Sequence, residues 1–155
     1  MNHDDDRNDE RREGHEGIDG GGSYRMKRAS VLSPREEVVM REVIGAAIAV
    51  HRALGPGFLE SIYERAMRIE LHACGLSFEA EKAIRVQYRG VDIPGQRIDL
   101  VVERLIVVEL KAVARFDHVH VGQVISYLKT TGLRGGLLIN FRVPLLMRGL
   151  KRIVL

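Results

Sequence analysis

With 155 residues, 45% of them hydrophobic, the chain has material for one globular domain and its core. Its single cysteine, Cys74, excludes an internal disulfide and a cysteine-based zinc cluster, and it suits a reducing, cytoplasmic setting. No apolar run approaches the roughly 20 residues of a membrane span, and the polar start is not expected to serve as a secretory signal.

The formal charge of +3 is unevenly divided. Residues 1–24 hold eight acidic and three basic side chains; of totals of 21 and 24, 13 acidic and 21 basic remain for residues 25–155. The part able to form a core is therefore basic, which suits a polyanionic partner. With no Trp, four Phe and four Tyr, an aromatic platform for single strands is not expected.

Residues 1–30 are acidic and glycine-rich with almost nothing to bury, which predicts a disordered tail ahead of a domain over 31–155. Order is expected to begin at Ser33-Pro34-Arg35-Glu36, a capping box with proline at N1. Val39, Val43, Ala46, Ala47 and Val50 then recur at helical spacing, to a stop near Leu54 at Gly55-Pro56-Gly57. A second helix, about Leu59 to Ala73, carries Ile62, Ala66, Ile69 and Ala73 as its expected buried face and ends at Gly75. From Ser77 the period becomes two, with Ile84, Val86 and Tyr88 on one side of a strand that turns at Arg89-Gly90. The apolar runs flanking Glu103-Arg104 read as two strands joined by a tight turn. A third helix over about 118–130, a buried strand Gly136–Phe141, a turn at Pro144 and a final strand from Lys151 follow. The order αα-βββ-α-β(β) predicts an α/β sandwich around a mixed sheet.

The hairpin at Glu103-Arg104 brings Asp99 back beside Glu109 and Lys111. In a strand Glu109 and Lys111 share one face, with Val108 and Leu110 on the other. Taken alone, Glu-x-Lys reads as well as a cross-strand salt bridge. In an apolar sheet, two carboxylates and a lysine instead match a magnesium site: oxygen ligands for the ion, and a cation to hold or activate water. On the third helix Gln123 and Tyr127 share a face with His120, which also fits a helix start. At the second helix, Glu60 suits the dipole and can lean over the sheet edge as a further acidic ligand. Tyr63 fits the core, and His51 suits the last turn of the first helix; with His120 these are accessory candidates.

Together these residues resemble a known family. Gly57-x-x-Glu60-x-x-Tyr63 is similar to the motif of the GxxExxY proteins, grouped with the PD-(D/E)XK nuclease superfamily. The likeness covers almost all of residues 34–155. It takes in His51-Arg-Ala-Leu-Gly-Pro-Gly57, the Asp99 strand, Glu109-Leu-Lys111, His120-x-x-Gln123-x-x-x-Tyr127 and Gly136-Leu-Leu-Ile-Asn-Phe141. The order of helix Glu, strand Asp, Glu-x-Lys and helix Gln-x-x-x-Tyr also resembles the RecB-like and lambda-exonuclease-like branch. A literal Pro-Asp pair is missing, Pro94 standing five residues before Asp99.

The resemblance implies a restriction-endonuclease-like αβββαβ sandwich with an extra N-terminal helix. Asp99 and Glu109 would hold Mg2+ or Mn2+, joined by Glu60 and the Leu110 carbonyl. Lys111 would position or deprotonate the attacking water, and Gln123 and Tyr127 would brace the site or touch the scissile phosphate. The implied activity is hydrolysis of phosphodiester bonds in nucleic acid, above all DNA, with a homodimer as one way to cut both strands of a duplex. A catalytically silent nucleic-acid-binding module of the same fold and a protein-interaction adaptor are the alternatives.

Overall fold

The computed structural model describes residues 31–155; the tail expected over 1–30 lies outside the described residues. Helix α1 (Pro34–Leu54) begins with the anticipated capping box. Ser33 Oγ accepts the Glu36 N–H at 3.3 Å, and Glu36 Oε2 accepts the Ser33 N–H at 2.6 Å. Such a cap stabilises a helix by about 1 kcal/mol. Helix α2 (Glu60–Ala73) follows after a short loop.

Five strands lie side by side in chain order: β1 (Phe78–Tyr88), β2 (Val91–Val102), β3 (Ile106–Lys111), β4 (Gly135–Asn140) and β5 (Leu150–Val154). All neighbours are antiparallel except β3 and β4, which run parallel and are linked by the crossing helix α3 (His118–Thr131). A 3₁₀ turn, Leu146–Gly149, joins β4 to β5. This is the expected α/β sandwich with a mixed sheet. Among the described residues no helix is long and apolar enough to cross a membrane.

The sheet separates two cores. On one side α1 and α2 pack Met40, Val43, Tyr63 and Met67 against Leu100, Val108, Leu110 and Ile139. On the other, α3 packs Val124, Tyr127 and Leu128 against Ile98, Val101, Val107 and Leu138. Two adjacent glycines let both layers come close. A Cβ on Gly135 would stand 3.2 Å from Met40 Cε of α1 as well as 2.7 Å from Ile106 Cδ1 on the neighbouring strand, and one on Gly136 2.6 Å from Val124 Cγ1 of α3.

Two expectations are corrected. The buried face of α2 is Tyr63, Met67 and Leu71, whereas Ile62 is 40% and Ile69 71% exposed. Both stripes have helical spacing, and the bulkier one takes the core, with Ala66 of the expected face packed at its edge. Along β1 only Ile84 is buried; Val86 and Tyr88 are exposed, because the pairing slips after Ile84 and the β1–β2 ribbon runs out beyond the helices that cover the rest of the sheet. The turn at Glu103-Arg104 forms as read, both residues taking positive φ (53° and 57°), as a tight hairpin requires.

Candidate functional site

Strands β2 and β3 pair only over Leu100–Val102 with Ile106–Val108. Beyond that they part, and the reason lies at Asp99. Glu81, opposite Asp99 on β1, takes φ 49°, and at this kink the alternation of β2 reverses. Ile98 and Val101, three apart, both reach the α3 side. The Asp99 carboxylate then fills the gap, its Oδ2 accepting the Leu110 N–H at 2.8 Å in place of a strand neighbour. The N–H and C=O of an extended residue face the same way, so the Leu110 carbonyl also opens toward Asp99.

Glu109 is only 2% exposed, and its carboxylate lies close enough to that of Asp99 for each to shift the other's titration. Its Oε1 accepts from Lys111 Nζ at 2.6 Å, while its buried Oε2 has no partner. Burial first, then the Asp99 charge, pushes the Glu109 carboxyl up to about 7. Burial likewise raises Asp99, against the pull of the Leu110 N–H and the Lys111 charge. For Lys111 burial opposes the ammonium, but the Glu109 ion pair outweighs it and holds the group above the ordinary lysine range. Two neighbouring carboxylates with one orphaned oxygen are relieved by a proton or a cation between them. An all-oxygen donor set of this kind fits a hard divalent ion, with the Leu110 carbonyl beside it.

Tyr127 brings α3 to the same place. Its hydroxyl accepts from both Gln123 Nε2 and Gln96 Nε2 at 2.6 Å. Those two bonds occupy the oxygen's lone pairs, so its own proton is available only as a donor. Burial first, then Glu109, raises the Tyr127 pKa, so this proton is retained.

Glu60 lies to one side: its Oε2 accepts the Ala112 N–H at 3.2 Å, one residue past Lys111. Among the described residues no three His, Cys, Asp or Glu side chains converge as a ready metal cage, so Glu60 does not close on the Asp99–Glu109 pair. The accessory candidates are not brought to the pair. His51 Nε2 bonds the Val143 carbonyl at 2.8 Å and stacks on Phe141. His120 Nδ1 accepts the Asp117 N–H at 2.9 Å in the cap of α3. Tyr63 lies flat on Phe141 with centroids 4.4 Å apart. Its hydroxyl donates to the Gly55 carbonyl (2.5 Å) and accepts the Phe58 N–H (3.1 Å), clamping the loop ahead of Glu60.

Four neighbours escape a reading of sequence alone. Gln96 comes from the exposed ribbon and carries no signal. Asn140, the one polar residue of an apolar strand, holds the Val113 N–H and C=O and so fixes the chain beyond Lys111. Glu64 is raised by burial, then by Asp99 and Glu60. Arg68 lies 4.0 Å from Glu64 and 3.7 Å from Glu81. The spacing Glu60, Glu64, Arg68 puts all three on one helix face, the only signal available.

A family model described as the PD-(D/E)XK nuclease superfamily matches residues 37–153. No curated protein and no solved structure matches the chain. The matched segment spans both helical layers and all five strands, with the Asp99, Glu109 and Lys111 cluster at its centre: the chain belongs to the PD-(D/E)XK nuclease superfamily.

Proposed function

We propose that this protein is a small Mg2+- or Mn2+-dependent nuclease that hydrolyses phosphodiester bonds in DNA, a GxxExxY-type member with the RecB-like order of site residues. The observation that carries the reading is the buried Glu109 carboxylate beside the half-buried Asp99, with one Glu109 oxygen unpartnered and Lys111 bonded to the other. Magnesium is commonly held by one or two carboxylates and several waters, which matches two carboxylates and a carbonyl better than a closed cage. Asp99, Glu109 and the Leu110 carbonyl are the proposed ligands, and Glu60 acts at one remove through the Ala112 backbone. When bound, the ion supplies positive charge to the attacked phosphate and lowers the pKa of water beside it.

The chain's own groups do the rest. Lys111 orients the attacking water and offsets charge on the phosphorane. The Tyr127 proton, freed by Gln96 and Gln123, donates to a non-bridging phosphate oxygen. Water oxygen bonds to phosphorus, the bond from phosphorus to the sugar oxygen breaks, and a water proton ends on that oxygen. The basic balance of residues 25–155 favours such a polyanion, and a homodimer would place two centres on a duplex.

The test is cleavage of single-stranded, duplex and branched DNA with Mg2+ or Mn2+. Wild type should cut, whereas Asp99→Ala and Lys111→Ala should lose on the order of 10³-fold in rate. Equal cleavage by all three proteins would refute the site. No cleavage of any substrate, with DNA still bound, would establish the silent module instead.

A further inference from the structure

Beside the proposed centre lies a cavity of about 450 Å³, lined by Gly57, Phe58, Leu59, Glu60, Ala112 and Arg142 among others. It shares Glu60 and Ala112 with the end of β3 just past Lys111, and the Glu60 charge reaches the Lys111 ammonium and favours it. The walls are of two kinds. Phe58 is 50% and Leu59 75% exposed, an unusual display in a chain with four phenylalanines. Phe58 is nonetheless held in place, edge-on to Tyr63 at 6.4 Å. The polar lining includes Arg142, exposed and in no ion pair among the described residues. Its backbone is fixed by a 3.1 Å bond from its N–H to Asn140 Oδ1.

Gly57 is not demanded by its backbone, which has no positive φ, nor by crowding, since an added Cβ meets nothing within 4 Å. What a side chain there would do is stand at the cavity rim. The three spaced residues of Gly57-x-x-Glu60-x-x-Tyr63 thus build one feature: an open rim, a wall shared with the reactive centre, and a clamp on the loop.

We propose that this cavity is a subsite for the nucleobase flanking the scissile phosphate, Phe58 stacking on the base and Arg142 holding the next phosphate. One ring does not make a platform, but it stacks one base. A paired base is enclosed by its neighbours and reaches such a pocket only by leaving the duplex. The substrate class is therefore nucleic acid with an unpaired base at the cut: a single strand, an overhang or a frayed end. The phosphate positions in this assignment rest on the nuclease reading above; the base-stacking part does not.

The experiment uses the full chain with Ca2+ in place of Mg2+, and oligonucleotide duplexes that are blunt or carry an overhang with terminal 2-aminopurine. Wild type should prefer the overhang and quench the 2-aminopurine. Phe58→Leu and Gly57→Leu should each lose the quench and weaken overhang binding about tenfold, with blunt-end binding unchanged. Arg142→Ala should lower the salt slope of binding by about 1. Melting curves show whether each variant is folded, and Phe58→Leu retains bulk for packing. Equal binding of blunt and overhang DNA by wild type overturns the proposal, as does an unchanged quench in Phe58→Leu. Binding of neither, with capture of a peptide instead, overturns it too. Overhang preference without any Mg2+-dependent cutting refutes the nuclease reading and keeps the subsite; cleavage of blunt DNA indifferent to Phe58→Leu does the reverse.

Discussion

The two ends of β3 differ more than any other two parts of the sheet. At its start Ile106, Val107 and Val108 are fully buried and paired on both sides, to β2 and to β4. At its end Glu109 and Lys111 still pair with β4, but β2 has left. Val107 and Glu109 point to the same side, both are buried, and only one is charged. The charge is tolerated because the parted strand leaves room for Lys111 to answer it, while the freed Leu110 N–H holds the Asp99 carboxylate. A sheet that opens at one end can carry ions there that it would reject two residues earlier.

That contrast is testable most severely at its apolar end. Val107→Asp places a carboxylate where no cation or N–H is free to meet it, a penalty of several kcal/mol against a total stability of about 5–15 kcal/mol. No cooperative thermal transition is expected, and a variant melting within a few degrees of wild type would show the two ends to be equivalent.

At the charged end the expected effect is smaller and has a definite pH signature. In metal-free protein the Glu109 carboxyl binds its proton more tightly folded than unfolded, at about 7 against an ordinary 4.5. Its contribution to stability is therefore full below about pH 4.5 and is lost as pH rises toward 7, because the folded state binds more protons in that window. Glu109→Gln should flatten this slope and be the more stable protein at pH 8, by on the order of 2 kcal/mol. Added Mg2+ should raise the melting temperature of wild type at pH 8, less so at pH 5 where protons compete, and not in the variant. Parallel pH–stability curves for the two proteins would contradict the buried pair.

The mildest change is Tyr127→Phe, which removes one donated proton and leaves two amides to find water. A drop in kcat of about tenfold with KM unchanged is expected, since a bond made to charge developing on the phosphate acts in the transition state. A rise in KM alone would make Tyr127 a binding residue.

Legibility followed the range of the forces involved. The Ser33–Glu36 cap and the Glu103-Arg104 turn are local, and sequence shows them because neighbours within four residues decide them. Asp99 and Glu109 lie on the two arms of one short hairpin, so their proximity is also readable. The face of α2 was not, since two stripes of equal periodicity compete and only packing chooses between them. Gln96 and Arg68 reach the site across strands and layers, and no spacing in the chain encodes that reach. Glu60 fell between: its place near β3 was readable, its bond to the Ala112 N–H was not.

The flat stack of Tyr63 on Phe141, with His51 on the far partner, ties together two segments that are distant in the chain. Tyr63 grips the loop that carries Phe58, and His51 grips the Val143 carbonyl next to Arg142. The two walls of the cavity are thus mounted on one aromatic axle. Displacing either wall disturbs contacts that also hold the other, so the two share one support instead of standing as independent loops.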